Sequence, residues 1–324
     1  SRAPEPPLAK GVVMSHASRT AATLPPTVNI HVIGSCNYDC HFCYARFVTS
    51  QVALPLLEGE AVLNLLAQAG VEKITLAGGE PTLHRDLLGV LRQTRKLGMV
   101  SALVTNASRI DEEWCVVHLP ELRWLVLSLD SAEPETCVRI GRHPKGGTLD
   151  HPAQVARVAD FLHRWNMKRP REDRVRLKVN IVVTSLNAHE DPSEFLVRLQ
   201  PERVKLLQCG IRPGENEDAE HLRCTDGAFA AYAQRLKPLQ ERGITVVTEF
   251  EEDQRGSYAM IDPRGCFFQS DDTGRLTTSK PILQVGLAQA WREVGGYDAQ
   301  KFVARGGQYD PGSVATGTQD TANV

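Results

Sequence analysis

The stretch Cys36-Asn37-Tyr38-Asp39-Cys40-His41-Phe42-Cys43 spaces three cysteines as C-x3-C-x2-C. Thiolates are the usual ligands of iron–sulfur clusters. Three of them on one tight loop can hold three irons of a cube and leave the fourth open, and an open metal position is where substrate chemistry takes place. The competing reading is a structural zinc site, which takes four ligands. His41 could be a fourth, but its position between Cys40 and Cys43 gives poor geometry, so the spacing favours the cluster. The other five cysteines, Cys115, Cys137, Cys209, Cys224 and Cys266, stand alone, with no second C-x-x-C pair. In a chain of 324 residues without a secretory signal, this usage points to metal or cluster binding rather than disulfides.

Working outward from the cysteines, short apolar strands alternate with helical stretches, the pattern of a parallel α/β sheet. Strands are expected at Val28–Ile33, Lys73–Leu76, Val100–Thr105, Trp124–Leu129, Val175–Val183 and Val204–Gln208. Helices fit between them at Leu57–Ala69, Arg85–Leu97, Glu112–His118, Ala153–Trp165 and Pro192–Leu199; Gly227–Arg242 then leads into an apolar run at Ile244–Val247. Six such units make either a partial barrel or an open doubly wound sheet, and the periodicity leaves both open. In either, the cysteine loop falls at the carboxyl end of the first strand, where parallel barrels carry their active sites. From Glu249 onward Gly, Pro, Asp and Arg become frequent and only Ile282–Trp291 reads as helical. The expected organisation is a disordered arm at 1–26, the α/β body at 27–248, an extension at 249–310 laid over the sheet, and a disordered tail at 311–324. The arm shows neither the apolar core of a signal peptide nor the run of a membrane span.

Several strands depart from the continuous apolar run of a doubly covered parallel strand. Val175, Leu177, Val179 and Ile181 alternate with Arg176, Lys178 and Asn180; Val28, Ile30 and Val32 oppose Asn29 and His31; Val204 and Leu206 oppose Arg203 and Lys205. The apolar faces are expected to pack on the outer helices and the polar faces to point inward. Inward cations without partners are costly, and no strand offers a matching row of acids, so a polyanionic, phosphorylated ligand is implied. The alternative is a partly open sheet whose polar face is solvated. With 37 basic and 39 acidic residues and a formal charge of −2, the chain has no overall basic excess with which to coat nucleic acid.

The cysteine spacing followed by aromatic Tyr44, with Gly78-Gly79-Glu80-Pro81 one strand–helix unit later, resembles the radical S-adenosylmethionine (SAM) enzymes. The resemblance implies a partial (β/α)6 barrel of the radical SAM type, with the C-terminal extension covering its open side. It implies a [4Fe–4S] cluster on Cys36, Cys40 and Cys43, and SAM held by Tyr44, Gly78, Gly79, Glu80, Thr105, Asn106, Ser131 and Arg142. Further segments are similar to the viperin-like radical SAM nucleotide dehydratases: Asn29-x-His31, Ile140-Gly-Arg142, Lys178-x-Asn180, Lys205-x-x-Gln208-Cys209, Ser257-Tyr258 and Arg305-Gly306-Gly307-x-Tyr309. That likeness implies dehydration of CTP or UTP to a 3′-deoxy-3′,4′-didehydro nucleotide through a 5′-deoxyadenosyl radical, with an antiviral role. Asn29, His31, Lys178, Asn180, Lys205, Gln208, Glu249 and Tyr258 are the expected substrate residues, and Tyr258 is also the expected catalytic relay. The implied partners are the nucleoside triphosphate, an electron donor of flavodoxin or ferredoxin type and cluster-assembly machinery, in the cytoplasm, without direct contact to nucleic acid or membrane. The alternatives are a radical SAM enzyme acting on another phosphorylated small molecule and an inert iron–sulfur nucleotide-binding protein.

Overall fold

Alternation builds the sheet. Val28, Ile30 and Val32 are fully buried against the outer helices, and the same parity recurs in Leu177, Val179 and Ile181 and in Val204 and Leu206. The computed structural model describes residues 19–20, 23–46, 52–147, 149–307 and 309. Seven parallel strands follow in chain order: β1 (Thr27–His31), β2 (Lys73–Ala77), β3 (Val100–Thr105), β4 (Trp124–Ser128), β5 (Arg176–Val183), β6 (Arg203–Gln208) and β7 (Thr245–Glu249). The sheet thus runs one strand beyond the six expected units, because the apolar run at Ile244–Val247 pairs with β6. It does not close on itself: β1 and β7 are not neighbours, as in a partial barrel.

The helices cover the outside. In α1 (Leu56–Gln68), Gly59, Val62, Leu63 and Leu66 make the buried stripe. In α5 (His151–Met167), Asp150 caps the first turn through Ala153 N at 3.0 Å, Pro152 suits the helix start, and Val155, Val158, Ala159 and Leu162 face the sheet. The helices α2 (Leu87–Lys96), α3 (Glu112–His118) and α6 (Ser193–Leu199) fall where the pattern placed them. The short α4 (Pro134–Arg139) was not anticipated. The helix expected over Gly227–Arg242 stops as α7 (Asp226–Leu236) and continues as a 3-10 turn through Pro238, whose missing N–H cannot extend an α-helix.

The extension holds more regular structure than its composition suggested. Three strands, β8 (Met260–Ile261), β9 (Cys266–Ser270) and β10 (Leu276–Pro281), continue the sheet beyond β1. β8 lies parallel to β1 and the other two form an antiparallel hairpin. A short helix, α8 (Glu251–Gln254), follows β7. The helix expected over Ile282–Trp291 is split into α9 (Ile282–Val285) and α10 (Leu287–Glu293) by Gly286, whose φ of 83° belongs to glycine. The last helix is α11 (Ala299–Ala304).

Part of the expected N-terminal arm is joined to the body. Arg19–Thr20 pairs with Tyr297–Asp298, and Trp291 Nε1 donates to Thr23 O at 3.2 Å. Residues 1–18 and 21–22 of that arm, and the expected tail at 311–324, lie outside the described residues. Among the described residues no helix is long and apolar enough to cross a membrane.

Candidate active site

The cysteine loop and the glycine pair are brought together by backbone. Beyond the β1–β2 ladder, Gly79 N donates to Ile33 O at 2.7 Å and Glu80 N to Ser35 O at 2.9 Å. The two chains run so close that a Cβ on Gly79 would lie 2.2 Å from Ser35 O, and one on Gly78 2.5 Å from Ile33 O. Cys40 is buried, and Cys36 and Cys43 are half-buried. Burial pushes the Cys36 thiol up to about 11 and raises Cys40 and Cys43 as well; the nearby Arg142 guanidinium opposes the rise in all three. Such thiols become thiolates when cationic iron offsets their burial, so the donor set suits a metal cluster. Among the described residues, no three His, Cys, Asp or Glu side chains are grouped to hold a single metal ion, and His41 is exposed. That geometry disfavours the zinc reading, since the thiolates of a cube each take a different iron.

A cavity of about 300 Å³ opens inside the sheet, with Cys43, Phe42 and Tyr44 at the cluster loop. Its walls carry the inward parity of the strands: Asn29 and His31 from β1, Lys178 and Asn180 from β5, Lys205 from β6. Register sets these side by side, Lys178 next to Arg203 and Asn180 next to Lys205. His31 packs edge-on against Phe268, and burial lowers its pKa to about 4, so the ring is neutral.

Of the eight residues expected at SAM, Tyr44, Gly78, Gly79 and Arg142 border the cavity. The other four are turned into braces. Glu80 accepts from Thr82 N, Thr82 Oγ1, Thr105 Oγ1 and Asn106 N at 2.7–3.1 Å, which fills its carboxylate and ties the end of β2 to the end of β3. Asn106 Nδ2 donates to Asn37 Oδ1 at 3.0 Å, and Ser131 Oγ to Glu190 Oε2 at 2.6 Å. Arg142 is held by Asp130, through Nε at 2.5 Å and through Nη2. Asp130 itself adopts a left-handed φ of 62° and accepts from Val182 N at 2.8 Å.

At the far side, Tyr258 donates to Glu249 Oε2 at 2.5 Å and accepts from Lys205 Nζ at 2.8 Å. Glu249 is fully buried; Lys205 and Arg305 pair with it and hold its carboxyl below the ordinary value despite the burial. The sequence reading missed this acid as a counter-charge to the inward cations, because Glu249 comes from β7, outside the six expected strands. Gln208 borders the cavity with its amide already engaged: Nε2 donates to Cys224 O and Asp226 Oδ1, and Oε1 accepts from Glu251 N.

Residues beyond the expected binding set also gather at the site. Lys73 Nζ is buried without a hydrogen bond, 3.3 Å from the centre of the Tyr309 ring. Arg203 lies 4.5 Å and Lys178 5.3 Å from that same ring. Among the described residues none of these three cations has a carboxylate partner. Lys73 shares the parity of cavity-lining Thr75 and Ala77, a signal present in the sequence. Arg212, Arg305 and Tyr309 come from stretches without periodicity.

Residues 30–159 match the Radical SAM superfamily. The chain is 33% identical to the S-adenosylmethionine-dependent nucleotide dehydratase of Flammeovirga pacifica, over 88% of this chain and 95% of that one. It is 35% identical to the S-adenosylmethionine-dependent nucleotide dehydratase RSAD2 of Oncorhynchus mykiss, over 92% and 84%. A third relative of that name, from Lacinutrix mariniflava, is 33% identical over 92% of this chain, which spans 61% of its length. Among solved structures, anSMEcpe with bound AdoMet superposes with a TM-score of 0.65 at 16% identity, covering 85% of this chain and 83% of that one. Streptococcus suis SuiB bound to S-adenosylmethionine gives 0.62 at 15% identity, over 86% and 67%. At these identities the two structures speak to the fold.

Proposed function

Because the chain belongs to the S-adenosylmethionine-dependent nucleotide dehydratases of the radical SAM superfamily, we propose that it dehydrates a pyrimidine nucleoside triphosphate, CTP or UTP, to the 3′-deoxy-3′,4′-didehydro nucleotide. The observation that carries the substrate class is Lys178, which borders the cavity with no carboxylate partner among the described residues, backed by Lys73 and Arg203 against the Tyr309 ring that lines the same cavity. A triphosphate supplies the missing negative charge and accepts charge-assisted hydrogen bonds from Lys178.

Cys36, Cys40 and Cys43 hold the [4Fe–4S] cluster, and Tyr44, Gly78, Gly79 and Arg142 border the space for SAM. When bound, cluster and SAM supply one electron and the carbon radical that takes a hydrogen from the ribose. The chain's own residues do the rest. Lys178 and Lys205, which border the cavity, fix the phosphates and so the distance of the ribose from the cysteine loop, with Lys73 and Arg203 behind the Tyr309 ring. His31, neutral, and Asn29 offer hydrogen-bonding groups without adding charge. Tyr258 keeps its proton, because burial and Glu249 hold its pKa well above the ordinary value; it is the group that gives a proton to the 3′ hydroxyl, so that it leaves as water. Two electrons per turnover, one to cleave SAM and one to complete the dehydration, come from a flavodoxin- or ferredoxin-type donor, and cluster-assembly machinery loads the iron. Nucleoside triphosphates and reduced low-potential carriers meet in the cytoplasm, where we place the enzyme.

The test is anaerobic: reconstituted enzyme with SAM, dithionite and each nucleoside triphosphate in turn, read by mass spectrometry. CTP- or UTP-stimulated 5′-deoxyadenosine, with a nucleotide product lighter by one water, is expected. Deoxyadenosine that no nucleotide stimulates would redirect the search to another phosphorylated substrate.

A further inference from the structure

The two residues between Cys36 and Cys40 that carry polar side chains into the fold are pinned from two different strand ends. Asn37 Nδ2 donates to Ser108 Oγ at 2.8 Å, and its Oδ1 accepts from Asn106 Nδ2 at 3.0 Å, both partners lying just past β3. Tyr38 is buried, and its hydroxyl lies 3.2 Å from His151 Nδ1. His151 is fully buried at the first position of α5, and its Nε2 is 2.8 Å from Ser128 O at the end of β4. A carbonyl only accepts, so Nε2 carries the hydrogen, Nδ1 is the acceptor, and the tyrosine hydroxyl is the donor. The rings meet edge-on at 5.6 Å between centroids. Backbone adds a second seam: Lys145 N donates to Asn37 O at 2.9 Å and His41 N to Ile140 O at 3.0 Å.

None of these groups borders the cavity, and none is needed to bind substrate. What they share is the loop that presents the sulfurs. We propose that Tyr38 and His151, together with Asn37, are positioning residues that hold the three cysteines in their cluster-accepting arrangement before iron binds. The proposal rests on reading Cys36, Cys40 and Cys43 as the cluster ligands. Its physical basis is preorganisation: a ligand loop ordered in advance loses less conformational freedom on metal binding than a mobile one. Tyr38 is the sharpest element, because one oxygen atom ties the loop to a helix more than a hundred residues away.

The experiment uses the full chain, stripped of iron under anaerobic conditions, in wild-type form and as Tyr38→Phe, His151→Phe and His151→Gln. Iodoacetamide labelling of individual cysteines is followed by peptide mass spectrometry at fixed pH, and a urea midpoint reports on the global fold. Losing one hydrogen bond is expected to speed Cys40 labelling about tenfold in Tyr38→Phe and His151→Phe, with Cys115 and Cys137 unchanged. His151→Gln, whose amide can both accept and donate, restores much of the protection. Iron retained after reconstitution falls in the same order. Wild-type labelling of Cys40 and wild-type iron content in Tyr38→Phe, where the fold is intact, overturn the proposal. A Cys40→Ala control separates the two readings: if it keeps its iron and brown absorbance, the ligand assignment fails and the positioning role goes with it.

Discussion

Lys205 is pulled two ways. Burial, with the Arg305 and Arg203 charges, pushes its pKa down to about 8, while Glu249 draws it upward. A polyanion needs the protonated form. Triphosphate affinity is therefore expected to hold near neutral pH and to weaken as pH rises through about 8, by up to about tenfold per unit; calorimetric titration between pH 6.5 and 9.5 reads it directly. The stability contribution runs the other way. Between about 8 and the ordinary 10.5 the folded chain holds fewer protons than the unfolded one, so over that window this group favours folding increasingly as pH rises. Lys178→Ala should cost roughly 10- to 100-fold in triphosphate affinity with little effect on a nucleoside; equal losses would refute the phosphate role. Tyr258→Phe leaves the ring and removes the proton donor. Its product yield should fall roughly 100-fold while SAM cleavage continues, and a variant that forms product at the wild-type rate would release Tyr258 from that role. At this scale the sequence spoke through parity: Asn29, Lys178 and Lys205 were readable because their neighbours are apolar, and Lys73 and Arg203 carried the same signal. The bracing bonds of Glu80, Thr105, Asn106 and Ser131 were not legible, because a motif names residues without saying which neighbours their side chains engage.

Strands and helices were legible where burial imposes a period. The first six strands and the main helices follow 2- and 3.6-residue patterns set by one apolar face each. The extension was not, because β8 is two residues long and Gly286 interrupts a helical stretch; pairing to β1 and to the hairpin, rather than local preference, makes those elements. The turn after β2 shows what a glycine does in this fold. Gly79→Ala forces the turn away from Ser35 and should destabilise the protein by roughly 1–3 kcal/mol and lower iron retention. Gly227→Ala, in the first turn of α7 with nothing within 4 Å of its new carbon, should add up to about 1 kcal/mol. Urea midpoints of the two variants check both signs.

The whole molecule is an open sheet wrapped round a cationic lumen, and its stability is linked to what fills that lumen. Even without iron, a triphosphate that binds the folded form alone should raise the melting temperature, by about 2.7 kcal/mol of stabilisation at a hundredfold excess over Kd, and the matching nucleoside should do much less. Differential scanning fluorimetry distinguishes the two; equal shifts would mean the lumen reads the base rather than the charge.

Tyr309 ends the described chain on the floor of that lumen, edge-on to Trp124 at 5.1 Å and over Lys73. Its seat is made by residues of β2, β4 and β6, which are distant in sequence and must already be paired. An order of events in folding follows. The floor is laid last, after a long loop closure, and a chain growing from its N-terminus completes the sheet before this residue exists. In refolding, Tyr309→Leu should leave the early phase of sheet formation at its wild-type rate and alter only the final, slower change in tryptophan fluorescence.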